Sequence, residues 1–393
     1  MSRTSTPFSS FKIEIPLFKP LIMLSLNLPS IFIASILLFI IPAASQQSIG
    51  LTGFPPVRPS FLSIYLINTH LPKCDALITA GLSNRLLHPT NPAYEPRIQS
   101  YWALNTRRRP YCIFQPRSTS EVSTGLSALL DSDLSGAGDW HVAVRAGGHN
   151  LGYSNNLENG VTIDLKYLSQ VQYNPAKRTA SLGPSAKWQD VYAQLHEYGV
   201  TAAGGRDGDV GVGGFLLGGG STYYMGLTGF ACDMVQEIEV VLANGSIVLA
   251  NSQSNTDLWR ALKGGGSNYG IVTRFEVDVL PDRQIARGER TLSAENIRGF
   301  VDAVVDFTES QERYKDDALV AMLVHAGKDI DILATIEVNI NGTENSSAFS
   351  NFSQISQIAP FNQSVHFMYE AALDSRLEGG QWYVLSTIGY PNL

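Results

Sequence analysis

V-A-V-R-A-G-G-H-N-L-G, running from Val142 to Gly152, is the stretch on which the reading of this chain turns. Val142–Val144 are β-branched or small and read as the end of a buried strand. Arg145 and Ala146 follow, then the adjacent glycines Gly147 and Gly148, then His149 and Asn150. Paired glycines allow a sharp loop with positive φ and let backbone come close to a ligand. Successive N–H groups in such a loop form a concave nest for an anion such as a pyrophosphate, and His149 stands beside whatever the nest holds. Read alone, the same residues also fit a glycine turn between strands with a surface histidine.

Outward from this loop, glycine recurs. In Gly204–Gly220, G-G-R-D-G-D-V-G-V-G-G-F-L-L-G-G-G, nine of 17 residues are glycine. That density suggests backbone lying flat against something large rather than glycines serving packing. Gly264–Gly266 makes a third cluster, and three of them fit a long phosphate-bearing cofactor. A Rossmann fold fails on spacing: Gly211-x-Gly213 meets Leu216 where the third glycine should stand, and no strand feeds it. No G-x-x-x-x-G-K-[ST] occurs, which argues against a P-loop nucleotidase.

Between the loops the periodicities alternate. A helix is expected over Cys74–Leu87, ended by His88-Pro89, and the run Arg107–Arg109 reads as a solvated loop. A strand is expected over Tyr111–Gln115, then a helix opened by the capping box Ser118-x-x-Glu121 and ending near Gly136. Strands follow over His141–Val144, Val161–Leu165 and Arg178–Leu182, then a helix over Trp188–Glu197 closed by Gly199. Asn244-Gly245 between Ile238–Leu242 and Ile247–Ala250 predicts a hairpin. Thr256–Leu262 reads as a short helix, and a strand runs from Gly270 to Val279. From Gln284 glycine thins out. A helix through Ile297–Val305, strands over Leu319–Val324 and Ile330–Ile340, a helix over Phe349–Ile358 and a strand over Trp382–Ile388 complete the pattern. The order predicts an α+β protein without internal repeats.

The 393 residues carry 44% apolar and only 16% charged side chains with a net charge of −7. That leaves ample core and no basic patch for nucleic acid. No charged residue occurs from Pro20 through Val57, and Ser30–Ile41 is an apolar run followed by Pro42-Ala43-Ala44-Ser45. This predicts a secretory signal peptide over 1–45, with an uncleaved anchor as the alternative, and no stable membrane association once it is cut. Secretion agrees with sequons at Asn244, Asn341, Asn345, Asn351 and Asn362. Three cysteines, Cys74, Cys112 and Cys232, allow one disulfide and leave one thiol. No C-x-x-C or H-x-x-x-H spacing supports a metal site.

Taken in order, these motifs resemble the FAD-linked oxidoreductases of the vanillyl-alcohol oxidase / p-cresol methylhydroxylase (PCMH-type) superfamily. The nearest likeness is to the secreted berberine-bridge-enzyme-like and 6-hydroxy-D-nicotine-oxidase-like branch. The resemblance rests on Arg145–Asn150, Val210–Gly214, Gly218–Gly220, Ala231-Cys232-Asp233, and Asp257-Leu258-Trp259 leading to Gly264–Gly270. It implies an N-terminal segment over 46–106 packed on a two-subdomain FAD-binding domain over 107–282. A partial substrate domain of antiparallel sheet and helices would occupy 283–393.

By the same resemblance, FAD would be held by Arg145, Ala146, Gly147, Gly148, His149, Asn150, Val210, Gly211, Gly213, Gly214, Gly219 and Val272. His149 would be bonded to the flavin 8α carbon, raising the ring's potential. Asp207 stands where some members carry a second, cysteinyl attachment, so the link would be through His149 alone. Phe215 stands where the berberine bridge enzyme carries a histidine, which puts a berberine-type substrate in doubt. The resemblance also pairs Cys74 with Cys112 and leaves Cys232 as a buried thiol. The family's closing segment has no counterpart after Leu393, about 100 residues by usual domain sizes. A mis-spliced gene or a real truncation would each account for that, and the 393-residue form is expected to be poorly soluble or weakly active.

The activity so implied is an oxidase. Hydride would pass from an alcohol, amine or sugar carbon of a small-molecule substrate to flavin N5, and O2 would be reduced to H2O2. Val210 and Gly211 leave room over the flavin, which favours an oxidase over a dehydrogenase with another acceptor; the third alternative is an inactive flavin-binding glycoprotein lacking its C-terminal part. Tyr314, Tyr369, Glu370 and Tyr383 are chemically capable of acid–base work, but no catalytic base is singled out.

Overall fold

The computed structural model describes residues 72–131, 142–326, 330–377 and 379–381. The apolar leader and the strand expected over 382–388 lie outside the described residues. Helix α1 (Pro72–Thr79) is shorter than the sequence suggests. Gly81 enters the left-handed region at φ +79, and the Leu82 N–H turns back to the Leu77 carbonyl at 2.9 Å. Leu86–Leu87 then form the edge strand β1 rather than a last helical turn. After α2 (Tyr94–Gln99), strands β2 (Cys112–Phe114), β3 (Val142–Arg145) and β4 (Val161–Asp164) build the first sheet. Its order is β1-β2-β4-β3, parallel except at β1.

Helix α3 (Thr119–Asp131) lies between β2 and β3 in the chain. Only half of the expected capping box forms. Ser118 Oγ accepts the Glu121 N–H at 3.1 Å, while the Glu121 carboxylate accepts from the Arg117 N–H at 2.7 Å and from Arg85 at 2.8 Å. A bidentate guanidinium partner is stronger than one backbone N–H, so it wins the carboxylate. Cys74 and Cys112 form a disulfide that fastens α1 to β2 in a core with Leu77, Phe114, Val122, Leu129 and Ile163. Cys232 is a buried free thiol.

The second sheet is antiparallel, in the order β5-β6-β10-β8-β9. Its strands are β5 (Val171–Asn174), β6 (Thr179–Leu182), β8 (Val235–Val241), β9 (Ile247–Asn251) and β10 (Ile271–Asp278). Between β6 and β8 come α4 (Trp188–His196), β7 (Val200–Thr201), α5 (Val212–Leu217) and α6 (Met225–Thr228), and α7 (Thr256–Leu262) precedes β10. Gly245 at φ +79 makes the β8–β9 turn as its Asn-Gly pair predicts. Neither β5 nor α5 is evident in the sequence, the first because its charge-free polar alternation is weak, the second because glycine masks its helical turn.

A short β11 (Leu280–Pro281) pairs with β7 and leads to the third sheet, β13-β14-β12-β15, also antiparallel. It comprises β12 (Ile285–Ser293), β13 (Asp317–Ala326), β14 (Ile330–Asn339) and β15 (Asn362–His366), with α8 (Ile297–Glu309), α9 (Ser350–Ser353) and α10 (Met368–Asp374). The helix expected over Phe349–Ile358 is reduced to α9. The sheet claims its second half, since Gln357 bridges Leu292 and the Ile358 N–H donates to the Thr291 carbonyl at 3.0 Å. Phe349 and Phe352 still bury against Phe300 and Phe307. Ile285, Val338, Ile340, Met368 and Ala371 join Trp188, Val191, Leu195 and Phe275 in one core cluster. The chain after residue 282 thus shares a core with the chain before it.

Candidate active site

Side chains alternate across a strand, and β3 uses both faces. Val142 and Val144 line a cavity of about 560 Å³, within the range of small-molecule and cofactor sites. Ala143 and Arg145 point the other way and are buried. The Arg145 guanidinium donates to the carbonyls of Arg97 and Ser100, each at 2.9 Å, and stacks 3.6 Å over the Tyr101 ring. Burial lowers its pKa. Arg145 therefore anchors the glycine loop from behind and does not line the cavity.

The loop after it does. Gly147 and Gly211 meet so closely that a Cβ built on either would lie 2.5 Å from the other's Cα. Backbone N–H groups of Gly147, Gly148, His149 and Asn150 find no acceptor among the described residues. Four unpartnered donors along a glycine loop, with φ +74 at Gly148, make an anion cradle. The segment Pro184–Trp188 stitches the two loops together. Ser185 Oγ donates to the Ala146 carbonyl at 3.0 Å, and the Gly213 and Val212 N–H groups donate to the Pro184 and Ala186 carbonyls. Lys187 Nζ donates to the Gly147 carbonyl at 2.9 Å and to that of Asp209. Burial lowers the Lys187 pKa.

Dense glycine in Gly204–Gly220 does serve packing, contrary to the expectation from sequence. A Cβ on Gly204 or Gly205 would strike the Trp188 ring at 2.1 or 2.6 Å, and one on Gly220 the Phe215 ring at 2.6 Å. Gly219, at φ +93, stands outside the cavity wall, and its carbonyl accepts the Cys232 N–H at 2.9 Å.

His149 forms part of the cavity wall with its ring stacked on Trp102, centroids 4.2 Å apart and planes 18° apart. Its Nε2 is buried without a hydrogen bond and lies 3.7 Å from Asp207 Oδ2. Asp207 accepts the Asp209 N–H at 2.8 Å and the Leu377 N–H at 3.1 Å. Burial works to raise the Asp207 carboxyl, but the His149 ring and these two N–H groups outweigh it and hold it below its ordinary value. Helix α10 and the segment after it strap this wall from outside. Trp102 Nε1 donates to the Leu377 carbonyl at 3.1 Å, the Gly380 N–H to the Trp102 carbonyl at 2.6 Å, and the Gly208 N–H to the Ala372 carbonyl at 2.9 Å.

Residues 110–251 match the family described as FAD binding domain. That stretch is similar to an FAD binding domain. Its cradle, glycine contact and histidine wall fit that cofactor, as the cavity's unpartnered donors show. The chain is 34% identical over 308 residues to the FAD-dependent monooxygenase drtC of Aspergillus calidoustus, covering 78% of this chain and 58% of that protein. The fold matches 6-hydroxy-D-nicotine oxidase of Arthrobacter nicotinovorans at TM-score 0.64 and 20% identity, over 73% of this chain and 62% of the other. It also matches the glucooligosaccharide oxidase of Acremonium strictum, a protein with 6-S-cysteinyl, 8α-N1-histidyl FAD, at TM-score 0.63 and 20% identity over 75% and 61%. The α+β fold expected from the sequence is therefore shared with these two solved structures. The chain spans about three-fifths of the length of each of these proteins.

Of the twelve positions expected around the cofactor, all but Arg145 and Gly219 lie on the cavity wall. Ser267, Asn268 and Tyr269 complete its rim, and the G-G-G-S-N-Y-G motif holds them although the sequence singled out no contact there. Trp102, Lys187 and the strap went unseen, because each acts across long sequence separations. Arg107 is likewise no bare solvated residue: it donates to the Tyr101 carbonyl at 3.1 and 3.2 Å. Among the acid–base candidates, Tyr314, Tyr369 and Glu370 are all off the cavity wall, and Glu370 caps its own helix through the Phe367 N–H. Tyr383 lies outside the described residues.

Lys187→Met removes one cation and leaves two carbonyls short of a donor. A cost of about 2 kcal/mol is expected, read as a lowered denaturant midpoint together with weaker FAD retention. An unchanged midpoint would show that water replaces the ammonium and that Lys187 does not hold the loops together.

Proposed function

We propose that this chain is an FAD-dependent oxidoreductase that holds FAD in the cavity between the Arg145–Asn150 and Val210–Gly214 loops, joined to His149. The observation that carries the reading is the set of four unpartnered N–H groups on the cavity wall, with glycines pressed together where the two loops meet. Bound FAD supplies a two-electron acceptor for a substrate alcohol, amine or sugar carbon, with O2 as the final acceptor and H2O2 as product. The protein's own part is to cradle the pyrophosphate on Gly147–Asn150, to close off one side with Val142, Val144 and Leu165, and to fix the His149 ring against Trp102. Water exclusion by that apolar wall strengthens the polar contacts within it.

A second reading is a monooxygenase, which the name of the Aspergillus calidoustus relative favours. Incubating the purified protein with an alcohol, amine and oligosaccharide panel under 18O2 separates the two. One H2O2 per substrate oxidised and no label in product supports the oxidase, and label in product supports the monooxygenase. Flavin that substrate bleaches under air and that regains its colour only when an artificial acceptor is added would favour a dehydrogenase. Bound flavin that no substrate reduces would sink the oxidoreductase reading.

We further propose a secreted glycoprotein. All five sequon asparagines are exposed, including Asn244 at the β8–β9 turn, and the disulfide suits an oxidising compartment. N-terminal sequencing of protein from the medium should begin near Gln46, and peptide-N-glycosidase should lower its mass. An intact Met1 in a membrane fraction would favour an anchor instead.

A further inference from the structure

Two features of the His149 wall remain without a role: a buried imidazole nitrogen with no hydrogen bond among the described residues, and a carboxyl beside it that two backbone N–H groups hold. Nε2 of His149 faces Asp207 Oδ2 at 3.7 Å, too long for a hydrogen bond by roughly half an ångström. Such pairs commonly tighten when the ligand is in place. Asp207 is well fixed for the part. Asp209 N–H holds Oδ1 and Leu377 N–H holds Oδ2, so the carboxylate cannot swing away. Trp102 holds the imidazole plane by stacking, so the ring's remaining freedom is a small shift within that plane.

We infer that Asp207 is the positioning residue for flavin attachment: it takes the Nε2–H of His149 and so leaves the Nδ1 lone pair as the nucleophile. The inference rests on the proposed His149 link and deepens it. A neutral imidazole carries one N–H, and the partner of that N–H fixes the tautomer. A carboxylate on Nε2 also stabilises the positive charge that grows on the ring as Nδ1 forms its new bond. In that step Nδ1 bonds to the flavin C8α, one proton leaves that methyl carbon and the imidazole loses its N–H proton. The electron pair enters the flavin ring, and dioxygen then takes the two electrons and two protons as H2O2.

The test uses the full chain from riboflavin-starved cells, given FAD under air. Flavin that stays with acid-precipitated polypeptide is followed over time, beside total bound flavin and the melting temperature. Asp207→Asn should bind FAD and melt like wild type yet attach it about a hundredfold more slowly, and Asp207→Glu should recover part of the rate. A residue that only pinned the strap would lower binding and melting together and leave the rate per bound flavin unchanged. Equal attachment rates in wild type and Asp207→Asn overturn the role of Asp207 while leaving the His149 link intact. Wild type with no covalent flavin overturns the link itself. Should Asp207→Asn fail to fold, the linked nitrogen in a wild-type flavopeptide decides: Nδ1 supports the inference and Nε2 overturns it.

Discussion

His149→Ala is expected to strip the polypeptide of every covalently held flavin while leaving a folded protein that still takes up FAD reversibly. The cradle is backbone: Gly147, Gly148 and Asn150 keep their N–H groups whatever the side chain at 149. The His149 side chain is 21% exposed and packs mainly on one ring, Trp102. Its truncation removes a mostly buried ring, but one that borders the cavity rather than a core cluster, so stability should fall by about 1 kcal/mol. Acid-denatured protein run on a gel gives the measurement. Fluorescence should travel with wild type and be absent from the variant, whose flavin appears in the supernatant. Flavin released wholly from wild type would remove His149 as the attachment point.

Gly211→Val should abolish flavin binding of either kind. Gly211 has φ −81 and ψ 147, a conformation any L-residue adopts, so backbone strain is not the obstacle. Space is. Its Cβ would fall 2.5 Å from Gly147 Cα and 2.7 Å from Gly147 N, both backbone atoms with no rotamer to yield. Parting the loops breaks the Lys187 bridge and the Ser185 contact as well. The cost is about 3 kcal/mol by analogy with overpacked cores, together with distortion of the cavity. Gly214→Ala is the control, since a Cβ there meets nothing within 4 Å. It should melt like wild type. If Gly211→Val also retains stoichiometric flavin, the contact between the loops is not what shapes the site.

Legibility in the sequence followed how local each cause was. Glycine loops are readable because a close backbone approach leaves few residue types that fit, and Gly147 with Gly211 bears this out. Strand alternation could have corrected one expectation beforehand. If Val142 and Val144 face the cofactor, Arg145 cannot, since adjacent positions face opposite sides. Lys187 was invisible for the opposite reason. A lysine before a helix looks like a solvated one until the fold brings the Gly147 and Asp209 carbonyls to it from 40 and 22 residues away. Trp102 and Leu377 meet across 275 residues, with nothing in either neighbourhood to announce it. The break in the helix expected over Phe349–Ile358 was equally unreadable, because a distant strand edge at Leu292 decided it.

The strap also sets a clock. Asp207 receives its Leu377 N–H from 170 residues further along the chain. At about 5–20 residues per second of synthesis, that partner emerges roughly 10–30 s after the carboxylate does. Until then the outer side of the histidine wall is bare, and Gly208 lacks the carbonyl of Ala372. The glycine cradle can be assembled early by the nascent chain, but the surroundings of His149 are finished among the last described residues to be made. On the proposed His149 link, cofactor capture and cofactor fixation would thereby be separated in time by the order of translation itself.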